Sequence, residues 1–385
     1  MSGGANGLSQ DEAFARIRLL RSPNVGPVSY FQLLRRFGTA GAALDALPDL
    51  ATRRGGRYLV APELLVEQEV AALRRARARY LFHDSPDYPA LLREMDSPPP
   101  ILTVRGRAEL FKHPAVAIVG ARNASAGAVK LARDFASALS EAGCAIVSGL
   151  ARGVDAGAHR GALWGDGGTI GVIASGIDVT YPPEHFDLQE EVARNGLLVA
   201  EQPPGTQPLA RHFPFRNRII AGLAAGTLVV EAAPRSGSLI TARLAGEAGR
   251  EVMAVPGSPL DRRAHGCNQL IRDGAVLVQS PQDVLELVQS FDGTPRLRLQ
   301  ESGTQADFAA GADEDCLTDD ELADDELIGG ERCGIDALLG MAPVSIDELI
   351  RQSGQRPAVV HGVLLELELA GRLCRHPAGR VSLMH

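Results

Sequence analysis

Aromatic side chains are scarce: Phe, Tyr and Trp together make up 4% of this chain, and Trp occurs once. Its cores must therefore be built from Ala, Val, Leu and Ile. Cysteine is also sparse. Cys144, Cys267, Cys316, Cys333 and Cys374 are odd in number and scattered, with no CxxC pair and no His–Cys grouping at zinc spacing. They read as reduced thiols of a cytoplasmic protein. The longest apolar run, Ile219 to Val230, is bounded by Arg218 and Glu231 and falls short of the ~18 residues a membrane span needs. The first residues, MSGGANGLSQDE, contain neither a basic stretch nor an apolar one, so no secretory signal is expected. HExxH, GxSxG and GxxxxGK[ST] are all missing, which removes zincins, common serine hydrolases and P-loop NTPases.

Lysine is nearly absent as well. Lys112 and Lys130 stand alone, and every other cation is arginine. The net charge of −8 argues at first against a nucleic-acid partner. However, nine acids fall between Asp313 and Glu326 with no Lys or Arg among them, and without those nine the chain stands at about +1. The stretch 291–330 is acidic, poor in aromatics and aperiodic, so a disordered linker is expected. A solvated spacer is its plain reading, and a DNA-mimicking tail the sharper one.

What is abundant is glycine: 42 of 385 residues, above the ~7% average. With small aliphatics, that favours an α/β architecture whose strand-to-helix turns need unusual backbone angles. The length suggests two to four domains. Ser9 and Glu12 form a capping box for a helix over Gln10–Leu20, and a second helix is expected over Pro27–Phe37. Between them, Asn24-Val25-Gly26 is half of a helix-hairpin-helix turn, but Pro27 removes one amide donor and favours a plain packing module. From Val116 onward the periodicity alternates. Strands are expected at 116–119, 145–147, 170–174, 197–200, 227–230, 252–255 and 275–278, with helices between them, which describes a doubly wound, mostly parallel sheet. After the linker, Ser345 and Glu348 cap a helix ending at Gly354. Pro357 opens another that runs to Gly371, and RLCRHPAGRVSLM forms a two-stranded wing.

In a doubly wound sheet, ligands bind beyond the carboxyl ends of the strands. Here those loops are Gly120-Ala-Arg122-Asn123, Ser148-Gly149-Leu-Ala-Arg152-Gly153-Val-Asp155 and Ser175-Gly176, followed by Phe213-Pro-Phe215-Arg216-Asn217-Arg218 and Pro234-Arg235-Ser236-Gly237-Ser238. Helix N-termini and arginines attract phosphate, so several such loops on one sheet edge would make a polyanion site. Phe213 and Phe215 suit either base stacking or packing. Asp155 suits a helix cap, and His159 a structural role. A nicotinamide dehydrogenase would show GxGxxG after the first strand and an acid after the second; GARNAS and Ser148-Gly149 stand there instead.

The segments VAIVGARNAS, IVSGLARGVDAGAHRGAL, TIGVIASGIDVTYPPEH, AEQPPGTQPLARHFPFRNRIIAGL and VVEAAPRSGSLITARLAGEAGREVMAVPGSP resemble the DNA-processing protein A (DprA/Smf) family, in its order and spacing, over Tyr80 to Leu287. The resemblance implies an N-terminal helical SAM-like domain (1–79), an extended Rossmann-like DNA-binding core (80–290), the acidic linker (291–330) and a winged helix (331–385). It further implies a homodimer that binds single-stranded DNA, protects incoming strands during natural transformation and loads the RecA recombinase. No catalytic residue, metal or cofactor is implied. The family's loop arginine falls on Arg122 and its Ser-Gly turn on Ser148 and Gly149. Its FxxRNR-like segment falls on Phe213, Arg216, Asn217 and Arg218, and its GSLIT turn on Gly237 and Ser238. With Gly120 and Arg152 these are the candidate DNA contacts. Arg216 and Arg218 are expected to face ligand and to be removable without harm to folding. The family's Tyr-Gly after the first loop is Ala126-Gly127 here.

Two other classes compete. A nucleotide-hydrolysing Rossmann-like enzyme would carry a PGGxGTxxE-type loop, and APRSGSLITA lacks its acid and its double glycine. A duplex-DNA regulator would use the second helix of the winged module, yet residues 357–370 hold no Lys or Arg and include Glu366 and Glu368. A protein-contact role is expected for that helix.

Overall fold

The computed structural model describes residues 8–52, 58–289, 335, 338–340, 342–376 and 379–384. The acidic stretch 291–330, with Cys316, and Cys333 lie outside them. The chain divides between Val66 and Glu67 into two compact units, one from the described residues up to Val66 together with those from 335 onward, the other from Glu67 to 289.

The larger unit is built on a nine-stranded sheet: β1 (Arg79–Phe82), β2 (Ile101–Gly106), β3 (Ala115–Val119), β4 (Ala145–Ser148), β5 (Thr169–Ile173), β6 (Leu197–Ala200), β7 (Gly226–Val229), β8 (Glu251–Ala254) and β9 (Val276–Leu277). The spatial order is β1-β2-β6-β5-β4-β3-β7-β8-β9. Strands β3 to β9 run parallel, while β1 pairs antiparallel with β2, and β2 antiparallel with β6. The parallel strands are continuous apolar runs because both faces are covered; Val116, Ala117 and Ile118 are fully buried. Burying each Val or Ile side chain contributes about 1.5–3 kcal/mol. The helices over 126–141, 154–162, 186–195, 212–223, 237–247 and 265–272 lie between the strands, as the alternation predicts. From β3 the chain winds outward through β4 to β6, then returns to lay β7 on the other side of β3. That reversal opens a crevice at the carboxyl ends of the central strands, the usual ligand position in such sheets.

The smaller unit opens with helices at Gln10–Arg21, Pro27–Phe37 and Ala40–Thr52. Ser9 caps the first as expected, accepting from Glu12 N at 3.1 Å. The reciprocal half of the capping box is not made, because the Glu12 carboxylate instead accepts from Ala40 N and holds Arg16. The C-terminal part has helices at Ile346–Ser353 and Pro357–Leu369 with strands at Leu373–His376 and Arg380–Leu383. The expected two-stranded wing gains a third strand, Val344–Ser345, which pairs with Arg380–Leu383.

Candidate nucleic-acid interface

The helices that flank the crevice are called α7 (Val154–Ala162) and α9 (His212–Leu223), counting from the N-terminus, with α6 (Ala126–Glu141) following β3. Above β3, β4 and β5 lies a small cavity open to solvent. Arg122, Gly149, Arg152, Tyr181, Phe213 and Arg216 line it. Five of these six are candidate contacts from sequence; Tyr181 is not. Ile173, Ala174 and Ser175 at the end of β5, with Pro182 and Pro208, complete the walls.

The floor carries two opposite charges. Arg216 and Asp155 are buried, each 6% exposed. The Asp155 carboxylate accepts from the amides of Gly149 (3.1 Å) and Ala151 (3.4 Å), and Arg216 Nη1 donates to Val172 O at 3.1 Å. The guanidinium lies so close over Gly149 that a Cβ there would meet Nη1 at 1.5 Å and Asp155 Oδ2 at 2.8 Å, so any larger residue would have to displace both side chains. Burial pushes Arg216 down to about 10 against the pull of Asp155, and it remains charged at neutral pH. Burial likewise pushes the Asp155 carboxyl up, opposed by Arg216 and by the amides it accepts from. The buried Nε of Arg216 has no hydrogen-bond partner among the described atoms.

Histidines fix the same turn from below. Leu150 sits in the left-handed region at φ 55°, a conformation that a bulky residue holds only when its surroundings impose it. Its amide donates to His159 Nε2 at 3.3 Å, and its carbonyl accepts from His185 Nδ1 at 2.9 Å. His159 Nδ1 in turn donates to Thr169 Oγ1 at 2.8 Å. Burial pushes His159 down to about 3, so the ring is neutral, as both of its hydrogen bonds require. His159 is structural, in agreement with the sequence reading.

The expectation that loop amides cradle phosphate meets a physical obstacle here. The amides of Gly149, Leu150 and Ala151 are all engaged internally. The N-terminus of α6 is closed as well, since Glu231 accepts from Ser125 N at 2.9 Å and from Ser125 Oγ at 2.7 Å. Two internal carboxylates thus occupy positions that an anionic ligand would take.

The rim is different. Arg122 is exposed, with Cζ 5.0 Å from the centroid of the half-buried Phe213 ring, and Tyr181 stands edge-on to the same ring at 5.7 Å. Arg152 is exposed and paired with Glu184. Gly120 and Ser148 lie beneath: a Cβ on Gly120 would strike Val154, and Ser148 Oγ donates to Ile118 O at 2.7 Å. Asn217, Arg218, Gly237 and Ser238 do not line the cavity. Arg218 is occupied by Glu201 and by Ser97 O, Asn217 reaches Gly237 O at 3.4 Å, and Ser236 caps Ser238. Contrary to expectation, neither Arg216, which lines the cavity floor, nor Arg218, which does not, stands free of the fold: both are tied into the structure by buried or half-buried partners.

Comparison with known proteins matches this architecture piece by piece. The family profile "DNA recombination-mediator protein A" covers residues 79–289, "DprA-like N-terminal HHH domain" covers 10–72, and "DprA winged helix domain" covers 330–379. The Escherichia coli "Protein Smf" is 36% identical over 335 residues, spanning 87% of this chain and 85% of that one. The Synechocystis "Protein Smf" is 44% identical over 211 residues, but the match spans 54% of this chain and only 53% of that protein. Among solved structures, DNA processing protein A from Streptococcus pneumoniae superposes with TM-score 0.60 at 37% identity, covering 72% of this chain and 98% of that one. The Helicobacter pylori protein, whose structure is described for its single-stranded DNA binding mode, gives TM-score 0.51 at 27% identity over 56% of this chain and 97% of its own. With a continuous profile over more than half its length and a relative aligned nearly end to end, this chain belongs to the DNA recombination-mediator protein A (DprA/Smf) family.

Proposed function

We propose that the chain binds single-stranded DNA along the rim of the cavity, without base-sequence preference and without catalysing a reaction on it. The observation that carries this reading is the stack of Arg122 over Phe213 with Tyr181 at its edge: two aromatic faces and an exposed cation above the strand ends, the combination that holds bases by stacking and the backbone by charge. The Helicobacter pylori relative's described single-stranded DNA binding supports the same ligand class. On the strength of the family description we further propose that the protein acts as a homodimer in the cytoplasm. There it protects incoming strands during natural transformation and loads the RecA recombinase, with ATP hydrolysis left to that partner.

The test is fluorescence anisotropy on oligo(dT) and on a matched duplex across a salt series. Arg122→Ala is expected to weaken oligo(dT) binding roughly tenfold, as removal of one charge-assisted hydrogen bond does. It should also lower the salt slope by about 0.7 for each phosphate that the variant no longer neutralises, with the unfolding midpoint unchanged. Phe213→Ala should cost a comparable ~1–3 kcal/mol of stacking. Unaltered affinity in both folded variants, or a preference for duplex, overturns the reading.

A further inference from the structure

The winged-helix module carries a helix whose two faces belong to two different cores. On Pro357–Leu369, Val360, Val363, Leu364 and Leu367 pack into the module's own core with Leu349, Leu373 and Val381. Leu365 and Leu369, 3% and 1% exposed, pack instead with Leu19, Tyr30, Leu33 and Leu47 of the N-terminal helices. A helix with two apolar faces must be covered on both sides. Here the second cover is the chain's own N-terminal domain.

The contact is polar as well as apolar, and it uses the hairpin turn. Asn24, left-handed at φ 59°, donates from Nδ2 to Leu369 O at 3.0 Å, one of the carbonyls that a helix C-terminus leaves without an intrahelical partner. Gly371, also left-handed at φ 70°, lies so close that a Cβ there would stand 3.2 Å from Asn24 Nδ2. Arg35 of the N-terminal helices is near enough to His361 to lower its pKa, behind the larger effects of burial and Arg375. On the same helix, Glu368 is held by Arg375 at 3.0 Å.

We propose that Pro357–Leu369 is an intramolecular docking helix, and that the Asn24-Val25-Gly26 turn is the seat for its C-terminus rather than for a DNA phosphate. Both elements that would read duplex DNA in such modules are then used on each other. The winged helix serves as a clasp that closes over the N-terminal helices.

The test uses the full chain with a protease cleavage site substituted within 303–312 and an affinity tag on the N-terminus. After cleavage, the C-terminal piece is expected to stay with the tagged piece through gel filtration at micromolar concentration. Leu365→Asp with Leu369→Asp, which spares the module's own core, should release it, and the circular dichroism of the released piece checks that it is still folded. Asn24→Gly keeps the left-handed backbone and removes only the side-chain bond, so it should weaken retention roughly threefold to tenfold without disturbing either fold. Release of the piece from the unmutated chain overturns the proposal. So does retention that none of these substitutions weakens.

Discussion

The floor and the rim of the cavity contain arginines that look alike in sequence and behave differently in the fold. Arg216 on the floor is buried, with Asp155 opposing the effect of that burial on its charge. Arg122 and Arg152 on the rim are exposed, one stacked on an aromatic ring and the other facing a surface carboxylate. A phosphate-binding role requires a charge that solvent, and hence ligand, can reach. An arginine already neutralised in the interior mainly sets geometry. The floor therefore shapes the site and the rim recognises, and mutations in the two layers should be read out by different measurements.

The sharpest test of that division removes the floor arginine. Arg216→Ala leaves the Asp155 carboxylate buried without its counter-charge, so it should destabilise the core unit by about 3–5 kcal/mol in urea unfolding. Removing both charges, as Arg216→Ala with Asp155→Ala, should cost less than Arg216→Ala alone, because no uncompensated ion remains. Additive costs in this cycle would separate the two charges and return Arg216 to the rim class.

Much of this was legible in the sequence, for identifiable reasons. The parallel strands announce themselves as uninterrupted Val, Ile and Ala runs because helices cover both faces. Strands β1 and β2 do not. They lie outside the strand–helix alternation, with the Pro-rich stretch Ser97–Pro100 leading into β2, and pair only antiparallel. Arg122, Gly149, Arg152, Phe213 and Arg216 could be placed at one edge because each follows a strand or opens a helix. Asp155 and Glu231 could not be recognised as internal anions, since their partners approach only when α9 and α6 pack. Likewise, the absence of Lys and Arg from Pro357–Leu369 pointed to a protein contact, but nothing local named the N-terminal helices as its cover.

The floor should also respond to pH. His159 is pushed from the usual 6.5 to about 3, so the unfolded chain takes up a proton that the native state refuses. Stability is therefore greatest above about pH 7 and falls as the pH drops through the unfolded value toward the folded one. By pH 5 the cost from this ring is about 2 kcal/mol. Comparing urea midpoints at pH 7.5 and 5 for the native chain and His159→Gln isolates that share from the opposing titration of Asp155. An identical pH response in both chains would mean that the ring is not held neutral.

The smallest effect belongs to the rim, and it tests the availability of a charge rather than its presence. Arg152 and Glu184 form an exposed pair in which hydrogen bonding to the guanidinium lowers the Glu184 carboxyl below its ordinary range. Such pairs contribute little to folding, so Glu184→Gln should leave the unfolding midpoint where it is. A phosphate approaching Arg152 must displace or share this carboxylate, which opposes binding as a local competitor of like charge. Neutralising it is expected to tighten oligo(dT) binding by about twofold to threefold at low salt. The salt slope should steepen by up to about 0.7, as one more phosphate is neutralised. Arg152→Ala should shift both quantities the other way, and the double variant should match Arg152→Ala alone if the carboxylate acts only through the arginine. If Glu184→Gln leaves affinity and slope unchanged, Arg152 lies off the DNA path, and the working rim contracts to Arg122, Phe213 and Tyr181.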